Sequence, residues 1–551
     1  MSQIELKPFG LVSVMVDCSD LQTALAVHAH LKAHPPRGAQ EFVPAAQTVL
    51  VRFDSVSCAR EFRAGFRWDG AGEAGAQAGK EQVIEVFYDG DDLAEVAQLT
   101  DLSTEAVVRA HTEQVWTVAF AGFAPGFFYL HAEDNALKVP RRSSPRTAVP
   151  AGAVGLAGDF SGVYPRTSPG GWQLIGRTAA PLWDLKQDPP ALLEPGQRVK
   201  FKAVRESIEV RSDLQKEEEV LPVSDHRAAL TVTNPGAQLL IQDSGRFGLT
   251  HWGVSPSGFA DETSARDANF AVGNRETAPV LESLMGGFTL QAQQDSVLAL
   301  TGAEAFATIA EPGKIDMQVP AGKPFALLAG QKLHVGLAER GLRVYCALRG
   351  GVRASVSAES VSYDTLSGIG SPPLAAGASL APAQEQVGAV QPIERLAPLP
   401  NQQEPTEIRV IAGPRDDWFT PESLARFTET TWQVTAESNR IGARLKPAEN
   451  PQDAAGVAPE ENGDSHPAQV LERKRTGELA SEGMVTGAIQ VPPNGEPVVF
   501  LADRPVTGGY PVIATVHPQD LRLVAQAAPG SHLRFTYFPL PTTDDQGESR
   551  A

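Results

Sequence analysis

Cysteine is scarce, with Cys18, Cys58 and Cys346 alone in 551 residues. They are odd in number and far apart, which excludes a disulfide framework, and no CxxC pair exists to hold zinc. A reducing, cytoplasmic setting fits that usage. Long apolar runs are missing too; none approaches the ~18 residues that a membrane-spanning helix needs. Residues 1–15 carry an acid at Glu5 and no basic stretch ahead of an apolar one, so neither a signal peptide nor a membrane segment is expected. Positive charge is in deficit, 47 Lys and Arg against 66 Asp and Glu, for a net charge of -19. That balance argues against a nucleic-acid partner, which would need a basic surface, and is sufficiently explained by solubility.

Motifs that carry chemistry on their own are absent as well. There is no GxxxxGK[ST] loop for a nucleotide, no HExxH, no GxSxG elbow, and no Met followed by Lys of the kind that carries biotin. No metal-ligating set can be read from the residues. A functional site in this chain must therefore be assembled from loops that are distant in sequence.

Glycine and proline, by contrast, are plentiful at 50 and 43 residues, and they are spread along the chain. This favours many short strands joined by tight turns, and the length suggests three or four units. Residues 1–100 read as a small α+β domain, with a helix after Asp20 and strands around 48–53 and 83–88. Residues 101–210 read as strands and turns, and the charged stretch 211–228 as a linker. Residues 229–390, with a helix over 261–272, and residues 406–540 read as two further strand-rich units, each expected to be a β-barrel region. Residues 70–80 and an insert at 447–472 look like connections.

One pattern occurs twice. Gly152-Ala153-Val154-Gly155-Leu156 precedes Gly170-Gly171-Trp172-Gln173-Leu174-Ile175-Gly176. Gly487-Ala488-Ile489-Gln490-Val491 precedes Gly508-Gly509-Tyr510-Pro511-Val512-Ile513-Ala514. The matched order and spacing predict one barrel-like unit used more than once.

Five clusters carry candidate chemistry. Arg141 and Arg142 follow Pro140, and Arg146 follows Pro145; cations stiffened by proline suit a carboxylate or phosphate. Trp172, Gln173 and Arg177 offer a wall, an amide and an anion anchor. Asp243 and Arg246 lie beside Gln242, with His251 and Asp261 shortly after, and supply carboxylates and an imidazole for acid–base work. Asp243 and Arg246 can equally pair with each other, and Asp261 can cap a helix. Glu282 sits in the apolar run Val280-Leu281-Glu282-Ser283-Leu284, where an inward carboxylate requires a partner. Gln490 and Tyr510 are placed to line a pocket in the second copy of the repeat. Arg141, Arg142, Arg146 and Arg177 have no evident counterpart there.

Taken together, these stretches resemble the family named allophanate hydrolase subunits 1 and 2. Subunit 1 is resembled through Gly122-Phe123-Ala124-Pro125-Gly126-Phe127-Phe128-Tyr129-Leu130, the arginine pairs and residues 168–178. Subunit 2 is resembled through Ile241-Gln242-Asp243-Ser244-Gly245-Arg246-Phe247-Gly248, Ser255-Pro256-Ser257-Gly258, Gly273-Asn274, Ser438-Asn439-Arg440-Ile441-Gly442 and residues 487–516. The pattern departs at Ser371, Ala378 and Asn439. The resemblance implies a mainly β fold, a small N-terminal α+β domain followed by cyclophilin-like β-barrels, in a natural fusion of the two subunits. It also implies the B and C component of an ATP-dependent 5-oxoprolinase, with a separate A subunit and a small cyclic amide as substrate. ATP and magnesium would be needed, though no site for either is visible. The same resemblance leaves open a carboxyltransferase of a biotin-dependent urea carboxylase system, or a non-enzymatic regulator of a histidine kinase. A homo-oligomer is compatible with all three. In the first of them Arg141, Arg142 and Arg177 would hold anionic groups, and Asp243, Asp261 or Glu282 would manage protons or a metal.

Overall fold

The structure is a computed structural model that describes residues 4–70, 81–122, 124–142, 144, 146–205, 228–400, 404–448, 470–475 and 477–539. Phe123 and Pro145 lie outside the described residues, as do nearly all of the 70–80 connection, the linker and the insert. Strands dominate, as expected. Among the described residues no helix is long and apolar enough to cross a membrane.

The N-terminal unit is a four-stranded antiparallel sheet, in which Ser13–Asp17 and Thr48–Phe53 are central. Helix Leu21–Ala33 starts where Asp20 accepts the Thr23 N–H at 2.8 Å, the usual service of an N-cap carboxylate. It buries Ala24, Val27 and Leu31, spaced three and four apart, against the sheet. Helix Val56–Gly65 lies beside it and buries Cys58, Ala59 and Phe62.

The expected boundary at residue 100 falls earlier in the structure. Strand Gln82–Val86 pairs in parallel with Arg198–Ala203 and so belongs to the seven-stranded sheet of the next unit. Phe87 exchanges two 2.9 Å backbone hydrogen bonds with Arg177, which joins the outer strands and makes this sheet a barrel. A parallel partner more than a hundred residues away leaves no local signature, which is why the sequence pattern misplaced the boundary.

Residues 228–382 fold around a nine-stranded antiparallel sheet whose longest strands are Ser296–Ala310 and Lys332–Leu348. Leu230, Leu239, Leu298, Leu333 and Val344 point into its core. The last unit is a closed seven-stranded barrel.

The two barrels repeat each other strand for strand. In the first barrel Gln82–Val86 is parallel to Arg198–Ala203, and in the second Thr406–Ala412 is parallel to His532–Tyr537. Ala153–Ala157 pairs with Gln173–Arg177, as Ala488–Gln490 pairs with Val512–Val516. Trp116 donates its indole N–H to His111 O five residues back, and Trp432 donates to Phe427 O at the same spacing. His111 stacks on Phe201 and Phe427 on Phe535. The repeat read from two short motifs thus extends through both cores.

Candidate functional site

Gly90 sets the geometry of the first arginine cluster. A Cβ there would stand 2.4 Å from Leu174 O, so only glycine admits the close approach. The turn brings Asp92, 3% exposed, under Leu174, whose N–H it accepts at 2.7 Å. Arg142 donates to Asp92 at 2.6 Å, and Arg146 does so twice, at 2.9 and 2.8 Å. Burial works to raise the Asp92 pKa, but the hydrogen bonds from Arg146 and Leu174 and the nearby guanidinium charges hold it below the usual carboxylate range. Two of the expected substrate arginines are therefore committed to a carboxylate of their own chain. Arg177 pairs with Asp89 at 2.8 Å and lies over Phe87. Trp172 is 4% exposed, packed between Phe127 and Tyr129 as core and not as a pocket wall. Gln173 is buried; its amide nitrogen is 3.5 Å from Pro140 O and its amide oxygen has no partner among the described residues.

This cluster does have a counterpart in the second barrel, with the charges exchanged. Gly413 occupies the place of Gly90, and a Cβ there would meet Val512 O at 2.3 Å. Arg415 donates its N–H to Val512 O as Asp92 does to Leu174 O. Glu482 stands opposite Gly508 as Arg146 stands opposite Gly170. Arg415 pairs with Glu482 and, at 2.6 and 3.0 Å, with Asp17 of the N-terminal sheet. The N-terminal unit is thereby fastened to the second barrel, and Met15, Val43 and Leu50 pack against Met484, Phe500 and Val506 in a shared core.

Two of the predicted catalytic carboxylates do come together, at the junction of the central sheet with the second barrel. Glu282, 3% exposed, accepts the Ala260 N–H at 3.1 Å and the Tyr345 hydroxyl at 2.9 Å, and it pairs with Arg440. Arg440 also grips Asp503 at 2.9 and 3.0 Å and donates to Gly258 O at 2.6 Å. Asp503, fully buried, accepts from the Ser257 hydroxyl and from both the N–H and the hydroxyl of Thr365. Asp261 caps helix Glu262–Val272 by accepting the Ser264 N–H, and it also takes a hydrogen bond from Gln526 at 2.9 Å. Every one of these groups is satisfied and sealed from water, so the network acts as structural cement between two units.

The remaining candidates of this half hold one loop. Asp243 accepts from Ser360, Ser362, Val361 N–H and Gly245 N–H, at 2.5 to 2.9 Å. Gln242 donates to Tyr363 O at 2.9 Å, and Arg246 to Ser362 O. His251 lies apart in the turn Thr250–Trp252, its ring 4.4 Å from that of Trp252, with its pKa lowered mainly by burial.

The loop held by Asp243 leads into Asp364, which sequence reasoning did not single out. Asp364 is fully buried and accepts the Leu366 N–H at 2.8 Å and the Ser367 hydroxyl at 2.5 Å. Burial, with the charge of Asp503 adding to it, pushes its carboxyl pKa up to about 6. Arg166 of the first barrel reaches this loop, its Nη1 3.6 Å from where a Cβ of Gly368 would stand. Its Nε is buried with no partner among the described residues, and burial lowers the guanidinium pKa.

Three predicted binders meet at an open seam between the barrels. Arg141 crosses from the first barrel, with Nη1 3.6 Å from the Cβ position of Gly509 and Nε 3.9 Å from the exposed Glu478. Tyr510 is 41% exposed and lies beneath Arg473, 5.7 Å from ring to guanidinium. Arg473 donates to Val491 O, the neighbour of Gln490, while its Nε is buried with no partner among the described residues. Burial lowers the Arg473 pKa, and the Tyr510 charge opposes it. The Gln490 amide oxygen is likewise buried with no partner among the described residues. Arg141, Arg473, Tyr510 and Gln490 thus present forked cations, a hydroxyl and an amide along one accessible seam, a set suited to a small anionic amide. Arg473 was missed because it lies beside a low-complexity insert; its neighbours in Arg473-Lys474-Arg475 were the available signal.

Among protein families, the carboxyltransferase domain, subdomain C and D, matches residues 4–193, and the carboxyltransferase domain, subdomain A and B, matches residues 252–537. The chain belongs to the carboxyltransferase-domain family. Similarity to the C subunit of 5-oxoprolinase from Escherichia coli is 31% identity over 320 residues, 56% of this chain and 92% of that protein. Similarity to the B subunit of 5-oxoprolinase from Bacillus subtilis is 47% over 126 residues, 22% of this chain and 52% of that protein. The crystal structure of TTHA0988 is 33% identical with a TM-score of 0.76, covering 94% of this chain and 96% of that one. This member of the carboxyltransferase-domain family therefore carries the C and D subdomains ahead of A and B in one polypeptide. The junction built on Arg440 lies within the A and B part, while the seam at Arg141 joins the two parts.

Proposed function

We propose that this chain is the fused B and C component of an ATP-dependent 5-oxoprolinase, opening the lactam of 5-oxoproline to glutamate together with a separate A subunit. The observation that supports it most is that one polypeptide contains both subdomain pairs, with its parts similar to different subunits of that enzyme. The seam adds chemical sense to the reading. 5-Oxoproline is a small amide bearing a carboxylate, and Arg141 with Arg473 supplies cationic forks for that carboxylate. Gln490 and Tyr510 supply amide and hydroxyl partners for the lactam edge. Ring opening adds water across the C–N bond, and the ring nitrogen leaves carrying a proton. Held by the A subunit, ATP would supply the electrophilic push as phosphoryl donor to the carbonyl oxygen; that first water would open the activated ring to an acyl phosphate, and a second water would release the phosphate.

Magnesium does not fit the described residues, among which no group of three or more His, Cys, Asp or Glu is placed to hold a metal ion. No residue of this chain is assigned to it, and nucleotide with its metal is proposed to be held by the A subunit. The test is glutamate release from 5-oxoproline and ATP by the purified chain with its A subunit, for the wild type and for Arg473→Ala. Release that falls in the variant supports the reading. No release from the wild type sinks it, and urea-dependent decarboxylation of carboxybiotin would establish a carboxyltransferase instead.

A further inference from the structure

The N-terminal unit holds a cavity of about 310 Å³ between its two helices, lined by none of the seam or junction residues named above. That volume is at the small end of ligand sites. One wall is made by Phe62 and Phe66 of the second helix, stacked with ring centroids 4.7 Å apart. The other is made by His30 and His34, one turn apart on the first helix, with centroids 5.0 Å apart. At the mouth stand Arg37 and Glu61, 83% and 66% exposed, their charged atoms 3.8 Å apart. That separation is long for an ion pair between exposed side chains, and such a pair contributes little by itself.

We propose that this cavity binds a free α-amino acid with an aromatic or bulky apolar side chain. The stacked Phe62 and Phe66 rings offer a flat face to a ring or branched chain, and the cleft closes where His30 lies 6.4 Å from Phe66. A cation and an anion side by side at the rim match a zwitterionic amino-acid head, whose ammonium and carboxylate are attached to the same carbon. Its carboxylate takes Arg37 and its ammonium takes Glu61, each exchanging a weak, solvated pairing for a closer one. A plain carboxylic acid would leave Glu61 facing the carboxylate, and a plain amine would leave Arg37 facing the ammonium. The Phe62–Phe66 face favours a ring or branched chain over the side chain of glutamate.

The experiment is calorimetric titration of the full chain with L-phenylalanine, hydrocinnamate and phenethylamine. L-Phenylalanine is expected to bind, with the other two weaker because each lacks one charge. Arg37→Gln and Glu61→Gln are each expected to weaken L-phenylalanine about fivefold; both side chains are exposed, so the fold is retained. Trp68 sits edge-on to His30 at 5.4 Å, so a ligand-induced change in fluorescence is expected and should vanish in Trp68→Phe while the heat of binding persists. No heat with L-phenylalanine at millimolar concentration overturns the proposal. So does binding that is unchanged in both rim variants, or hydrocinnamate binding as tightly as the amino acid.

Discussion

Replacing Arg440 by Met should detach the second barrel from the central sheet. Arg440 is 3% exposed and makes two bonds to Asp503, one to Gly258 O and a pairing with Glu282. The variant leaves two buried carboxylates without their cation, a change that typically costs about 3–5 kcal/mol. The structure places this case at the lower end. Asp503 keeps three donors from Ser257 and Thr365, and Glu282 keeps Ala260 N–H and Tyr345, with Arg343 at 3.6 Å. A loss of about 3 kcal/mol corresponds to a melting temperature lower by roughly 6–12 °C for a unit of this size. Urea unfolding followed by tryptophan fluorescence reads it, and Trp432 in the barrel core makes the barrel visible. Adding Glu282→Gln to Arg440→Met should recover part of the loss, giving a coupling energy of about 1.5–2 kcal/mol in the double-mutant cycle. The pH dependence has a fixed sign. Burial works to raise the Asp503 pKa, but the charge and hydrogen bonds of Arg440 overcome it and depress the folded value. Its contribution is therefore present above the unfolded carboxylate range and is lost as pH falls through the folded value, and this acid limb should shrink in the variant. A loss below about 1 kcal/mol, or a coupling near zero, would refute the view of Arg440 as the fastener.

Three further outcomes follow from the same geometry. Asp364→Asn should raise stability at pH 7.5 and lose that advantage towards pH 4, since a raised folded pKa favours the protonated fold and penalises it as pH rises through about 6; a variant less stable at pH 7.5 would contradict the view of Asp364 as a carboxyl penalised by burial. Asp92→Asn should destabilise the first barrel by about 2–4 kcal/mol, because Arg142 and Arg146 lose their shared carboxylate, and thermal unfolding will show whether they do. Arg473→Ala and Tyr510→Phe should leave the melting temperature within a degree or two and raise KM for 5-oxoproline, about tenfold for the arginine; an unchanged KM in both would remove the seam from consideration.

Much of the fold was legible because its signals are local. Asp20 and Asp261 announced helices by their capping chemistry, and alternating apolar residues announced strands. The repeat was legible because Gly152 and Gly487 both need a left-handed turn before an Ala-led strand. What the chain hid was partnership across distance. Arg142 and Arg146 look like free cations until Asp92, fifty residues upstream, is folded under them. Their equivalents were hidden by the exchange of charge: a search for matching arginines passes over Glu482, and one for a matching aspartate passes over Arg415. Glu282 correctly signalled a buried carboxylate in need of a partner, yet its partner Arg440 lies 158 positions on, and the pair turned out to be structural. Asp364 and Arg166 carried no local mark, because their character comes from burial at a junction between units.

The central claim is that this one chain does the work of two subunits. The direct measurement is the ratio of glutamate formed to ADP formed when the purified chain and its A subunit alone are supplied with 5-oxoproline and ATP. One glutamate per ADP, with no separate B or C protein added, is the predicted result. ADP without glutamate, or glutamate that appears only after separate B and C proteins are supplied, would contradict it.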